Sequence, residues 1–411
     1  MVDAEAATPN NRVLWSLVVI VFLDFVCVGF IMPVVPGMVR TLLAGNEAYG
    51  WVTGALQALS GALQFLCGAL FGVLSDRVGR KPVLGISVAG LALANLLRGL
   101  APNIWIFAVG TMVSGVTSAT SAVALATASD LRGTANKAHA FGLISAAVGA
   151  GFIVGPVLGG IAAASGLRFA YLVAASLSLL TAVLVTVLLP ETHSSHRRSR
   201  FSWGRANPLG SLLLLSRLPG RLGATLSFFL FQCAMALFPA SFVLYLTGAL
   251  NWNATQIGAT IGILATIYVL AQASASAGLI ARLGVARTSA AALLAGAIGL
   301  ALLSAPPALP LIAVAVVAIS VSALAQPTLK LILSAELPAG EQGELQGGLE
   351  GLAALARMIS PAIFGLIFSE GLRAGSGLLL RLPFALAAGG MLIAAVLIYL
   401  FGRASAAAGD A

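Results

Sequence analysis

Stretches of about twenty apolar residues recur along this chain, separated by short polar breaks, and nothing else in it restricts folding as strongly. A run of that length is what an α-helix needs to cross the hydrocarbon of a bilayer. Twelve such segments can be read, at about 13–36, 49–73, 83–100, 104–126, 139–164, 168–189, 222–247, 255–280, 286–304, 309–333, 343–369 and 380–402. Where no water reaches the backbone, every N–H and C=O must be paired inside the element, so segments this apolar are expected to be helices. Composition agrees. Apolar residues make up 59% of the 411 and charged residues 9%, against about 45–50% and about 25% in soluble domains. A disordered chain, a collagen-like fibre and an ordinary soluble enzyme are excluded on that balance.

The expected architecture is an all-α membrane protein with 12 transmembrane helices in two six-helix bundles, 1–189 and 222–411, joined by a cytoplasmic central loop at 190–221. That loop holds the longest polar interval, with His193, His196, Arg197, Arg198 and Arg200 among its residues. With an inside N-terminus, fifteen of the 22 cations fall on the cytoplasmic side and four on the other, while Arg98, Lys330 and Arg357 lie within apolar segments. The asymmetry predicts a multi-pass protein of the cell (inner) membrane with both termini cytoplasmic. The net charge of +9 therefore reads as orientation in a lipid bilayer, and no nucleic-acid partner is expected. Cys27, Cys67 and Cys233 sit in apolar stretches and read as small core hydrophobes. No cleavable signal segment precedes the first apolar run.

The two groups of helices also repeat. At an offset of 205 residues, Arg77 maps to Arg282, Gly79 to Gly284, Gly142 to Gly347, Pro156 to Pro361 and Gly160 to Gly365. Repeated halves of this kind place a substrate site between them near the bilayer midplane and favour alternating access.

Five features carry chemistry. The loop Gly72-Val-Leu-Ser-Asp76-Arg77-Val-Gly79-Arg80-Lys81 combines turn glycines with an acid and cations suited to charge-assisted bonds at helix ends. The fifth segment carries Gly151, Gly155-Pro156 and Gly159-Gly160, a spacing that lets helix backbones approach and a proline that loosens one ladder bond. Asp24 lies about twelve residues into the first segment, where a carboxylate costs several kcal/mol and is a functional candidate by default. Glu350 and Arg357 are seven residues apart on one helix face; they pair with each other, or Arg357 serves an anionic substrate. Gln57 and Gln64, seven apart, make a polar stripe on one helix face, and with the midspan amides Gln232 and Gln326 they either line a cavity or bond neighbouring helices. Lys330 lies close enough to a cytoplasmic end to snorkel, and Arg98 similarly to the outer face.

The loop at 72–81 resembles the signature G-x-x-x-D-R-x-G-R-[KR] of the major facilitator superfamily, and the run G-x-x-x-G-P-x-x-G-G resembles the fifth-helix motif of its exporters. With Leu23-Asp24-Phe25, Gly29 to Pro36 and Glu341 to Gly347, nearly the whole chain is similar to the tetracycline-efflux branch of drug:proton antiporters. The resemblance implies the major facilitator fold. It implies gating of the cytoplasmic side by Gly72, Asp76, Arg77, Gly79 and Arg80, with Gly155 and Pro156 in the exporter motif. It also puts Tyr268 and Gln272 on the drug cavity. Three positions depart from the pattern. Thr111 replaces an arginine of the fourth helix, Ala94 an acid of the third and Gly296 an acid of the ninth, so the proton pathway cannot simply be copied.

The function expected is secondary active transport, the proton-coupled efflux of a tetracycline-like or other amphipathic drug by alternating access. Asp24, Glu350 and Arg357 are the proton-coupling candidates. Gln57, Gln64, Gln232, Tyr268, Gln272 and Gln326 are the substrate-binding candidates. The alternative is an uncoupled facilitator or importer of a small metabolite in the same fold. A monomer is expected, whose partners are the small-molecule substrate, protons and lipid. The sequence contains no nucleotide-binding loop, no zinc spacing and no catalytic constellation, so neither cofactor nor enzymatic activity is expected.

Overall fold

The computed structural model describes residues 8–129, 134–191, 222–237, 241–274, 276–335 and 342–409. Secondary structure among them is helical, without a strand. The first half runs α1 (Thr8–Ile31), α2 (Val35–Leu42), α3 (Tyr49–Val78), α4 (Arg80–Leu100), α5 (Ile104–Thr117), α6 (Thr120–Ser129), α7 (Thr134–Ala164) and α8 (Leu167–Leu188). The second runs α9 (Leu222–Ala236), α10 (Val243–Leu250), α11 (Ala254–Ser274), α12 (Ser276–Leu283), α13 (Val285–Ser304), α14 (Leu309–Val321), α15 (Ala325–Ser334), α16 (Gln342–Arg373) and α17 (Gly377–Gly409). Of the central loop, residues 192–221 lie outside the described residues.

Among the described residues, ten spans are long and apolar enough to cross a membrane, or eleven if the bent pair Tyr49–Gly68 and Leu70–Val78 is one span. Twelve were expected. The difference lies at 222–247, where α9 (Leu222–Ala236) is by itself a shorter apolar helix and residues 238–240, ahead of α10, lie outside the described residues. Large apolar side chains stand on the outside of these helices, Trp105 at 77% exposure being the extreme. A soluble chain hides such residues; here they face the bilayer.

By its packing the chain divides into two units. One comprises the described residues of 1–44, 59–207 and 254–262, the other those of 45–58, 208–253 and 263–411. In the first, Leu17, Ile20 and Val21 of α1 pack into a buried cluster with Val83, Leu84 and Val88 of α4, Ile144 of α7 and Val185 of α8. The glycines of α7 form its seam with α1. A side-chain carbon added at Gly155 would stand 2.6 Å from the Val26 carbonyl oxygen, one at Gly151 would stand 2.7 Å from Phe25 Cβ, and one at Gly159 would collide with the Phe30 carbonyl. Their spacing of four puts all three on one face of α7, and the missing side chains let two backbones touch.

Internal repetition appears in the same kind of contact. Within the first unit, the Pro156 carbonyl occupies the space a side chain at Gly258 would need; within the second, the Pro361 carbonyl does so at Gly54. Gly160 and Gly365 extend the two contacts, against Ala254 and Gly50 respectively. Hydrogen bonds secure both. Thr255 Oγ1 donates to the Gly160 carbonyl at 2.9 Å, and Trp51 N–H donates to Ser369 Oγ at 2.7 Å. The repeat extends to the turns, since Gly79 and Gly284 precede α4 and α13 with φ of 122° and 77°, a conformation that strains any residue with a Cβ.

Candidate functional site

The loop at 72–81 folds as the end of α3, a one-residue turn at Gly79 and the start of α4. Arg80 Nη1 lies 2.6 Å from Asp76 Oδ1 and donates to Ser75 Oγ at 2.5 Å. The Arg80 backbone N–H donates to Glu191 Oε1 at 3.0 Å, and Lys81 Nζ donates to the Thr186 carbonyl at 2.8 Å. These bonds tie α3, α4 and the end of α8 together inside one unit. Glu191 was not anticipated as a partner. Its signal was an acid in Leu189-Pro190-Glu191, directly after an apolar segment. Arg77 is exposed. A side chain at Gly72 would meet nothing within 4 Å, so packing does not demand glycine there.

The Asp76–Arg80 pair is partly exposed, and an exposed i,i+4 pair contributes only about 0.5 kcal/mol. Asp76→Asn and Glu191→Gln are each expected to leave the melting temperature within about 2 °C of the parent in detergent, as an effect that small allows. A transport rate cut more than about tenfold at that unchanged stability, worth over about 1.4 kcal/mol on the rate-limiting step, would mark the loop as a moving part rather than an anchor.

Asp24 is 4% exposed, within the first unit. The Thr120 side chain at the start of α6 lies beside its carboxylate, and Oδ1 has no hydrogen-bond partner. One turn on, Cys27 lies beside Ser178 of α8, whose hydroxyl accepts a long bond from Asn95 Nδ2 at 3.4 Å. Asn95 Oδ1 in turn accepts from Arg98 Nη1 at 3.4 Å. Arg98 had been expected to reach the outer face from the end of its segment. It is instead 5% exposed, its stem packed beside Gly110 of α5, with its Nε unpartnered. Of the three departures from the family pattern, Ala94 is fully buried, the Thr111 hydroxyl is spent on the Phe107 carbonyl, and Gly296 abuts Met391 and Ser322.

The second unit gathers five of the remaining polar residues. The Tyr268 hydroxyl of α11 donates to Gln326 Oε1 at 3.5 Å. One turn beyond Gln326, Lys330 Nζ lies 3.5 Å from Glu350 Oε1. Arg357, two turns along α16, interacts electrostatically with Glu350, and its buried Nε has no acceptor. Lys330, expected to snorkel away, is thus Glu350's nearer cation, reached across α15 and α16. Gln272 and Gln232 are half-buried on α11 and α9. Gln57 and Gln64, expected as one stripe, fall in different units, and Gln64 Nε2 donates to Ser118 Oγ at 2.8 Å.

Known proteins match this arrangement over most of its length. The Major Facilitator Superfamily profile matches residues 17–272. The chain is 31% identical over 383 residues to the class C tetracycline resistance protein of Escherichia coli, covering 90% of this chain and 93% of that protein. It is 33% identical over 359 residues to the class G protein of Vibrio anguillarum, covering 87% and 91%. Among solved structures, the nucleoside transporter NupG superposes with a TM-score of 0.75 at 14% identity, covering 95% of this chain and 99% of that one. The human organic anion transporter MFSD10 superposes with a TM-score of 0.71 at 20% identity over the same shares. The chain is a multi-pass membrane transporter of the major facilitator superfamily, a relative of the tetracycline resistance proteins.

Proposed function

We propose that this transporter exports an amphipathic small molecule of the tetracycline class in exchange for protons, by alternating access of two six-helix halves. The observation that carries this reading is identity above 30% to tetracycline resistance proteins along about nine-tenths of the chain. The chain acts as a monomer in the inner membrane with both termini cytoplasmic, supported by the fifteen-to-four distribution of cations. No phosphate-cradling loop stands in the sequence, and a proton gradient supplies the work.

Asp24 is the proton-responsive group in this reading. Its neighbour Thr120 suits the task, since a hydroxyl can donate to a carboxylate and, by rotating, accept from a carboxylic acid. Either protonation state can therefore use it. The open Oδ1 is where the second state differs. Asp76, Arg77 and Arg80 brace the cytoplasmic end, and Tyr268, Gln272 and Gln326 present polar groups to substrate.

The uncoupled alternative draws on a specific observation. At Ala94, Thr111 and Gly296, where the resemblance predicts charged groups, this chain has packed or self-satisfied residues. An imposed pH gradient separates the two. Everted vesicles containing the protein are expected to accumulate tetracycline when acidified inside, and to release it when a protonophore collapses the gradient. Accumulation no greater than equilibration, with or without the gradient, would establish the facilitator.

A further inference from the structure

Among the described residues, the charges brought together by α15 and α16 do not balance, and the imbalance has a direction. Arg357 lies nine residues into the span Gly348–Arg373, about 14 Å along the helix axis at 1.5 Å per residue. A guanidinium at such depth is expensive and is retained where a partner or a function compensates it. The carboxylate within its electrostatic reach is Glu350, two turns toward the start of α16. Glu350 already has Lys330 at 3.5 Å. Among the described side chains, two cations thus share one carboxylate. The shared acid is 64% exposed, so it sits toward the open side of the cluster, while Arg357 is the deeper group with its Nε buried and unpartnered. Tyr268 and Gln326, one turn from Lys330, add neutral donors and acceptors beside it.

We infer that Arg357 and Lys330 receive the acidic group of an anionic amphipathic solute, with Glu350 as the internal carboxylate that the solute displaces. This rests on the transporter reading and narrows its substrate class: a carboxylate or sulfonate on an apolar body, in preference to a cation. The guanidinium fork matches a two-oxygen acid edge to edge. Glu350 holds the cations in place between turnovers and is a competitor for them when solute arrives. A substrate cation gains nothing here, since it would meet two like charges and one engaged acid.

The test uses two xanthene dyes of similar shape and opposite charge, fluorescein and rhodamine 6G, with the purified full-length protein. Fluorescence anisotropy in phosphatidylcholine nanodiscs is expected to show fluorescein binding at least tenfold tighter than rhodamine 6G. Arg357→Gln is expected to weaken fluorescein at least tenfold and Arg357→Lys to restore most of that loss. Glu350→Gln is expected to tighten it severalfold, a gain that a purely structural carboxylate would not produce. Size-exclusion profiles establish that each variant is folded. Preference for rhodamine 6G, binding of neither dye, or indifference to Arg357→Gln in a folded protein would each overturn the proposal.

Two further arms separate the possible sources and failures. Anionic lipid presents the same acid chemistry as a free solute. Phosphatidylglycerol in the nanodisc is expected to leave fluorescein affinity within twofold, and its loss would assign the cations to lipid phosphate and overturn a solute site. Counterflow in proteoliposomes is expected to move fluorescein. Movement of tetracycline without fluorescein would overturn the anionic assignment and leave export standing; movement of neither would remove both readings.

Discussion

Asp24→Asn is expected to abolish pH-driven accumulation of substrate, lowering it at least a hundredfold, while the protein still purifies as a single species. Asparagine has the shape of the neutral acid and brings an amide that can bond the Thr120 hydroxyl, so the packing at a position only 4% exposed is preserved. The substitution removes the proton's binding site and little else, and a gradient cannot do work through a group that does not titrate. Asp24 is buried beside Thr120 of α6 in the structure described, so on this reading a proton reaches it only when the helices around it shift during transport. Wild-type accumulation by Asp24→Asn would make this carboxyl a helix-packing group. Unaltered downhill flux with lost gradient drive would instead isolate coupling as its one contribution.

The distinction between what the sequence revealed and what it concealed follows the range of the forces involved. Span positions, the turn at Gly79 and the glycine seam of α7 are written in consecutive residues: length, a positive φ, a period of four. The pairing of Lys330 with Glu350 joins residues twenty apart on separate helices, and the bond from Arg80 to Glu191 spans 111 positions. No periodicity encodes either. Arg98 misled for a similar reason. Its place near the end of an apolar segment suggested water, but the space beside Gly110 on α5 lets its stem pack inward, and Asn95 on its own helix takes its head. Seven residues put Gln57 and Gln64 on one face of α3, and no pattern in the sequence told that they belong to different packing units. Position in the first apolar segment singled out Asp24, which is 4% exposed, but said nothing of Thr120, whose side chain comes from a helix nearly a hundred residues away.

The seam between α1 and α7 should respond most sharply to added volume. Gly159→Val is expected to abolish a folded, monodisperse product, because its first side-chain carbon would collide with the Phe30 carbonyl oxygen. Overpacking of ordinary cores costs about 1–3 kcal/mol because side chains yield. Here the obstacle is backbone in the last turn of α1, and relief requires the two helices to separate along a seam that Gly151 and Gly155 also use. Gly155→Val should fail similarly, with Val26 O at 2.6 Å. The control lies on the same helix. A carbon added at Gly142 meets nothing within 4 Å, so Gly142→Ala should be neutral or stabilising by up to about 1 kcal/mol, through helix propensity alone. Thermal unfolding followed by fluorescence size-exclusion reads all three. If Gly159→Val melts with the parent, α7 and α1 are not in backbone contact. The glycine-proline run would then need a role in transport itself, because packing would no longer account for it.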